Sequence, residues 1–115
     1  MPFNRGDVVL VKFPYSDLKR YKKRPALVIQ SDTISPGHSD KIIIEITSNT
    51  SLIGPTRVLV YLSSSEGKSM GILKDSVIVT DKIVTIESYM IDKKIGSISS
   101  IMTLVDTALR VTLNL

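Results

Sequence analysis

Arg24 is the side chain whose sequence neighbours place it most clearly for chemistry. It comes directly before Pro25 and the apolar run from Ala26 to Ile29. Because proline restricts the preceding residue to extended geometry, we expect Arg24 to be fixed at the start of a strand. A fixed guanidinium suits bidentate contact with a phosphate group. The alternative is that Arg24 forms a structural salt bridge with one of the eleven acidic residues.

A basic run leads up to this arginine, since five of the fifteen Lys and Arg residues lie between Lys19 and Arg24. Its cations would attract the phosphates of a nucleic acid, and Tyr21 would stack on a base. We expect Lys19 to Lys23 to stay mobile while Arg24 is fixed. The alternative to a phosphate-binding role is a solvated loop that its like charges keep open. The predicted phosphate contacts are Lys19, Arg20, Lys22 and Lys23.

Thr47 begins a hydroxyl-rich stretch that continues through Ser48 and Asn49 to Ser51. It ends an isoleucine-rich segment on the outward face of a predicted strand. A hydroxyl there, beside a fixed Arg24, would orient a phosphodiester. The alternative is ordinary turn chemistry, because Ser, Thr and Asn side chains often bond their own backbone. Thr47 is the second candidate catalytic residue, with Ser48 and Asn49 as candidate nucleic-acid contacts.

Asp81 and Lys82 mark a bend in a long segment of β-branched residues, and a turn is their default interpretation. Asp81 is also a candidate for an ion pair with a lysine of the basic run, or for acid–base work. Lys82 is a further candidate contact to nucleic acid.

Several kinds of site are excluded by composition. His38 is the only histidine, so two-histidine catalysis within one chain is excluded. The chain has no cysteine, which rules out disulfides and thiolate metal sites. The acidic residues lack the spacing typical of metal ligands, so we expect no metal and no cofactor. The segment around Gly67 is interpreted as a Ser/Gly turn rather than a phosphate-binding loop.

The chain has 115 residues, which predicts a single domain over residues 1–115. A net charge of +4 is consistent with a polyanionic partner but indicates one only weakly. The segment from Met1 to Phe13 lacks the features of a signal peptide, and no apolar run is long enough to span a membrane. We therefore expect a soluble, cytoplasmic protein without membrane contact.

Short β-rich runs separated by polar turns predict a mainly β protein. The apolar run from Asp7 to Phe13 is expected to be covered on both faces. In the third run Ile42, Ile44 and Ile46 share one face. The last run is expected to be two strands that meet near Asp81. The predicted strands are Asp7 to Phe13, Ala26 to Gln30, Lys41 to Thr47, Arg57 to Leu62 and Ser76 to Ile86.

The remaining segments are predicted as loops or helices. Ser31 to Asp40 and Ser63 to Gly71 have the composition of surface loops, and Glu87 to Lys93 is predicted as a short helix. Apolar residues from Ile101 to Leu109 recur at helical spacing, with Ser99 or Ser100 as N-cap. Five or six strands and this helix predict a small barrel closed by a helix.

The chain resembles the MazF/PemK toxins, because five motifs occur in the family's order across nearly its whole length. The stretch from Phe13 to Leu18 is similar to a PemK-like subgroup. The motifs are Arg5 to Val9, Arg24 to Ile29, Ile46 to Ser48, Asp75 to Ile78 with Thr85 and Ile86, and Val105 to Leu109.

The resemblance implies an SH3-like small barrel of the plasmid-maintenance toxin type with a C-terminal α-helix. It implies a type II toxin: a homodimeric, metal-independent, sequence-specific endoribonuclease, or mRNA interferase, that cleaves single-stranded RNA by 2′-OH attack. A cognate antitoxin would neutralise it, and DNA binding would occur only as a complex with the antitoxin. The family's catalytic residues correspond to Arg24 and Thr47, and in some variants to Asp81.

The chain departs from the family pattern at several positions, which bear on the cleavage sequence. The run before Arg24 is rich in Lys and Arg instead of Gly and Glu or Gln, and Lys82 replaces a glutamine. Val84 replaces an arginine, and Val79 replaces the arginine that accompanies the acid in some members. A different class of function is a non-catalytic barrel that binds nucleic acid or protein. A gyrase-directed toxin of the same fold is a further alternative.

Overall fold

The computed structural model describes residues 3–14, 19–34 and 40–115. His38, the centre of the predicted loop from Ser31 to Asp40 and the end of the Phe13 to Leu18 motif lie outside the described residues. The strands and helices of the described part are β1 (Asp7–Pro14), β2 (Tyr21–Val28), β3 (Asp40–Thr47), β4 (Arg57–Val60), α1 (Ser65–Met70), β5 (Ser76–Glu87), β6 (Ile91–Ser97) and α2 (Met102–Leu113).

The strands form one antiparallel sheet in the order β4-β5-β3-β2-β1-β6. Register shifts interrupt the β1–β6 pair and the β3–β5 pair. Such bulges bend a strand and increase its twist, so the sheet curls around a core. In the described part of the chain no pairing joins β4 to β6, and the curled sheet stays open. The mainly β fold with a C-terminal helix is as predicted.

Both faces of the central strands are buried. Side chains alternate between faces along a strand, so neighbouring residues such as Val8 and Val9 belong to different clusters. The helix-side cluster includes Val8, Leu27, Ile44, Ile46 and Ile78, together with Val105, Ala108 and Leu109 of α2. The opposite-face cluster consists of Val9, Val11, Ala26, Val28, Ile43, Ile86 and Ile91. The expected burial of β1 on both faces is confirmed.

Helix α2 confirms the helical period of the C-terminal segment, but its predicted N-cap is wrong. The capping position is Ile101, and no side chain caps the helix there. The Ser100 hydroxyl instead donates to Oε2 of Glu66 at 3.1 Å. The serine is therefore engaged with α1 and lies one residue too early to cap α2. In the described chain no helix is long and apolar enough to cross a membrane.

The predicted loop from Ser63 to Gly71 is wrong, because it contains helix α1. The Ser64 hydroxyl accepts a hydrogen bond from the Gly67 N–H at 3.0 Å, and Gly71 ends the helix with φ of 74°. A side chain at Gly67 would place its Cβ 2.2 Å from the Tyr61 carbonyl oxygen, so only glycine fits. A helix of six residues is too short to show a clear period in the sequence.

The predicted helix from Glu87 to Lys93 is also wrong. Only Ser88–Met90 forms a 3-10 turn, and β6 follows from Ile91 and pairs with β1. As an edge strand with charged, exposed side chains, β6 lacks the alternation that identifies a strand. The segment from Ser76 to Ile86 lies within one strand, β5, and the expected bend is a register shift around Thr80 to Lys82.

Candidate active site

The basic run is largely part of β2, so the prediction of a mobile loop up to Lys23 is wrong. Strand β2 begins at Tyr21 and pairs with β1, which places Lys22 opposite Phe13 and Arg24 opposite Val11. The strand forms here because β1 continues to Pro14 and supplies partners for the whole run. The side chains of residues 19–24 remain exposed, so their like charges stay in water.

Asp92 of β6 neutralises part of the basic run. Its carboxylate lies 3.1 Å from Lys23 Nζ and 3.7 Å from Lys12 Nζ. The hydrogen bond from Lys23 is the main cause that lowers the pKa of Asp92, and the charges of Lys23, Lys12 and Lys93 act in the same direction. Lys12 Nζ also lies 5.4 Å from the ring centre of Tyr21, whose surface is 54% exposed.

Arg24 lies just beyond the point where β2 stops pairing with β3. The last cross-strand pair is Ala26 with Glu45. The Ile29 N–H donates to the Ile42 carbonyl of β3. The backbone groups of every second residue of β2 point the same way, so those of Leu27 and Pro25 also point toward β3. Proline has no N–H, so at Pro25 the strand offers β3 no hydrogen-bond donor. The two strands can therefore part here without leaving a donor unpaired.

Arg24 has no carboxylate partner within the described residues. The alternative of a structural salt bridge is therefore not realised in this part of the chain. The exposed guanidinium keeps its hydrogen-bond donors available for an anion.

Thr47 ends β3 and lies two residues beyond Glu45, on the side where the strands separate. Its Oγ1 accepts a hydrogen bond from the Asn49 N–H at 3.1 Å. This is the turn chemistry that the sequence also suggested. It leaves the hydroxyl proton of Thr47 free to donate, since a hydroxyl both accepts and donates. The turn thus orients the side chain without consuming its donor.

Arg24 and Thr47 line the same cleft, of about 530 Å³. Ser48 and Pro25 line it beside them, and the segment from Gly71 to Lys74 forms another wall. The cations along it are Lys22, Lys23, Arg24, Lys74 and Lys93, and the described lining contains no acid. We call this the Arg24–Thr47 cleft. Its chemistry is that of cations and hydroxyl groups, which suits a phosphate-bearing strand.

Asn49, Asp81 and Lys82 do not belong to the described lining of this cleft. The Asn49 side chain accepts hydrogen bonds from the N–H and the hydroxyl of Ser51. Asp81 lies 3.6 Å from the Arg57 guanidinium, so the suggested pairing with a lysine of the basic run is wrong. The register shift in β5 directs this region toward β4, and Thr80 hydrogen-bonds the Thr56 carbonyl there.

A second, smaller pocket of about 210 Å³ lies next to the cleft. Arg24 lines both cavities. The other described residues that line the pocket are Phe13, Ile43, Glu45 and Val84. Ile43 belongs to the opposite-face cluster, so the pocket opens on the other face of the sheet. We call it the Glu45 pocket. Among the described residues, no three His, Cys, Asp or Glu side chains are grouped as metal ligands would be.

The family model for PemK-like, MazF-like toxins of type II toxin–antitoxin systems matches residues 4–113. The chain belongs to this toxin family. The resemblance inferred from its ordered motifs is thereby confirmed. No curated protein matches the chain by sequence.

Solved structures of toxins have the same fold. One is an endoribonuclease in complex with its cognate antitoxin from a mycobacterial species, with a TM-score of 0.78, 22% identity, and coverage of 99% of this chain and 97% of that chain. Another is the MazE–MazF complex from Deinococcus radiodurans, with a TM-score of 0.76, 16% identity, and coverage of 98% of this chain and 97% of that chain. A third is the Mycobacterium tuberculosis toxin MazF-mt6, with a TM-score of 0.70, 18% identity, and coverage of 93% of this chain and 97% of that chain. At these identities the likeness establishes the fold.

Lys74 and Lys93 are the cleft residues that the sequence did not predict. Lys74 directly precedes the family motif that begins at Asp75, and Lys93 lies in the segment mistaken for a helix. An isolated lysine gives no pattern in a sequence. Only the adjacency of Lys74 to a family motif offered a signal.

Proposed function

We propose that the chain is a toxin endoribonuclease, an mRNA interferase, that cleaves single-stranded RNA in the Arg24–Thr47 cleft. One observation carries this proposal: a guanidinium without a carboxylate partner in the described chain and an oriented hydroxyl line the same cleft, together with four lysines. Membership of the toxin family supports the same assignment.

The proposed reaction is a transesterification within the RNA strand. The ribose 2′-oxygen attacks the adjacent phosphorus while the bond from phosphorus to the 5′-oxygen breaks. The 2′-OH loses its proton to solvent, and the leaving 5′-oxygen gains a proton from solvent. The products are a 2′,3′-cyclic phosphate and a 5′-OH end. DNA lacks the attacking hydroxyl, so it is not a substrate, and the step needs no metal.

Arg24 stabilises the negative charge that develops on the phosphate oxygens in the transition state. A guanidinium keeps its proton in proteins, so this role is electrostatic rather than that of a general acid. The Thr47 hydroxyl donates a hydrogen bond to a phosphate oxygen, while the hydrogen bond from the Asn49 N–H holds Oγ1 of Thr47 in place. Asp81 is assigned no step, because its carboxylate pairs with Arg57.

The RNA backbone follows the cations of the cleft. Its phosphates are attracted by Lys22, Lys74 and Lys93. Lys23 attracts them less strongly, because it also forms an ion pair with Asp92. Lys19 and Arg20 extend this basic surface before β2, and the exposed ring of Tyr21 stacks on a base.

We further propose that the chain acts as a cytoplasmic homodimer that a cognate antitoxin neutralises. Two of the related structures are complexes of a toxin with its antitoxin. DNA binding is expected only for the toxin–antitoxin complex, and no cofactor is expected.

Incubating the purified protein with a long single-stranded RNA in EDTA tests the activity. We expect discrete fragments with 5′-OH ends, which Arg24→Ala should form about 10²–10³-fold more slowly. Arg110→Ala is the matched control, because Arg110 is also exposed but lies on α2, away from the cleft lining. Intact RNA with a gel shift would favour a non-catalytic binding module. Cleavage that depends on added Mg²⁺ would contradict the mechanism.

A further inference from the structure

The Glu45 pocket has the size and lining of a site for one flat nucleobase. Drug-sized ligands occupy pockets of about 300–1,000 Å³. At about 210 Å³ this pocket suits a smaller group, such as a single purine or pyrimidine base. Its described lining is apolar or aromatic except for Arg24 and Glu45. A mostly apolar pocket with a few converging polar groups is typical of a binding site.

Four neighbouring strands build the pocket. Glu45 on β3 pairs directly with Ala26 on β2, and Arg24 is two residues farther along the same face. Because β2 and β3 stop pairing at Ala26, the two strands begin to separate at Arg24 and leave room beside Glu45. Arg24 and Glu45 both line the pocket, and no ion pair joins them in the described chain. The cross-strand pair of Ile43 and Val84 closes the apolar side.

Glu45 is half-buried and has no hydrogen-bond or ion-pair partner among the described residues. Its carboxylate would repel phosphates, so it opposes binding of the RNA backbone. It would instead attract a group that presents hydrogen-bond donors. A nucleobase edge next to the phosphate at Arg24 is such a group.

We propose that the Glu45 pocket binds one guanine base of the RNA substrate, and this inference rests on the proposed function. Guanine presents two adjacent donors on its Watson–Crick edge, N1–H and N2–H, which one carboxylate can accept side by side. Adenine, cytosine and uracil each place an acceptor where the second donor would be. Phe13 supplies the aromatic surface for the ring, and Arg24 holds the adjoining phosphate.

Binding of inert oligonucleotides tests the pocket separately from cleavage. The probes are fluorescein-labelled 2′-O-methyl oligouridylates with one central guanine, inosine, adenine, cytosine or uracil, because 2′-O-methyl RNA lacks the nucleophile. Anisotropy should show guanine binding about 10-fold tighter than adenine, cytosine or uracil. Inosine lacks the 2-amino group and should fall between. Equal affinity for all five probes would overturn the inference.

Glu45→Gln is the decisive variant, because it replaces one acceptor with a donor at nearly constant size. We expect it to lose the preference for guanine while it still binds the adenine probe. Asp40→Asn is the matched control, since it makes the same charge change at the other end of β3 and should keep the preference. An unchanged preference in Glu45→Gln, or an equal loss for every probe, would contradict the assignment.

Mapping of the cut ends separates this inference from the proposed function. RNA cut in EDTA at sites without a guanine near the scissile bond would refute the pocket and leave the nuclease standing. A guanine preference in binding without any cleavage would refute the nuclease and leave the pocket standing.

Discussion

Two arginines of the sheet have opposite surroundings. Arg57 on β4 lies 3.6 Å from Asp81, and its side chain is only 18% exposed. Arg24 on β2 is exposed and has no carboxylate partner in the described chain. A paired guanidinium ties two segments together, whereas an unpaired one keeps its donors and charge for a ligand. The comparison separates an arginine that joins two segments from one whose donors remain available for the proposed reaction, although both lie on strands of the same sheet.

Arg24→Ala should have the largest effect on activity and little on stability. Loss of one group that stabilises transition-state charge costs about 10²–10³-fold in rate. The side chain is exposed and unpaired in the described chain, so the free energy of unfolding should change by less than about 0.5 kcal/mol. Single-turnover cleavage in EDTA and thermal denaturation measure the two quantities. A large loss of stability would mean that Arg24 is structural.

Thr47→Val should lower the cleavage rate by about 10²-fold, because it removes the donor to the phosphate and keeps the side-chain shape. Thr47→Ser is the control and should retain most of the rate, since the hydroxyl can still bond the Asn49 N–H. If the valine and serine variants cleave equally well, the hydroxyl takes no part in the reaction.

Lys74→Ala should weaken RNA binding and reduce its salt dependence. Each lost phosphate contact lowers the slope of log affinity against log salt by about 0.7 for a single strand. Lys68→Ala is the control, because Lys68 is exposed on α1 but does not line the cleft. Anisotropy titrations with uncleavable RNA at several salt concentrations measure the slopes. Identical slopes for the two variants would remove Lys74 from the binding surface.

Arg57→Ala should reverse the pattern of Arg24→Ala. We expect a loss of up to about 1 kcal/mol in the free energy of unfolding, because the partner carboxylate is partly exposed. Cleavage should change little. Thermal denaturation would show this as a decrease in Tm of a few degrees. A rate loss as large as that of Arg24→Ala would restore a catalytic role to this pair.

The smallest expected effect concerns Asp92 and pH. Its pKa in the folded chain is lowered, first by the hydrogen bond from Lys23, so the stabilisation is present above the ordinary aspartate value of about 3.9. It is lost as the pH falls through the lowered pKa. The melting temperature of the wild type should therefore be higher than that of Asp92→Asn at pH 7 and equal to it in strong acid. A difference that persists in strong acid would point to another cause.

The sequence predicted those parts that have a local signal. Each of these signals involves only neighbouring residues: the proline after Arg24, the alternating isoleucines before Thr47 and the helical period of α2. The missed parts depend on contacts between distant segments. Strand β6 is recognisable only by its pairing with β1, and β2 extends back to Tyr21 because β1 lies beside it. Glu45 stands out only once four strands are assembled around it.

Pro25 has a consequence for how the site could change. The strands β2 and β3 separate because the ring nitrogen of Pro25 cannot donate a hydrogen bond, and no loop has to open. The backbone at Arg24 is therefore already ordered in the folded chain, and only its exposed side chain has still to be fixed when an anion binds. Substitutions of the surrounding lysines would thus change the charge of the cleft while the separation of β2 and β3 at Pro25 stays in place.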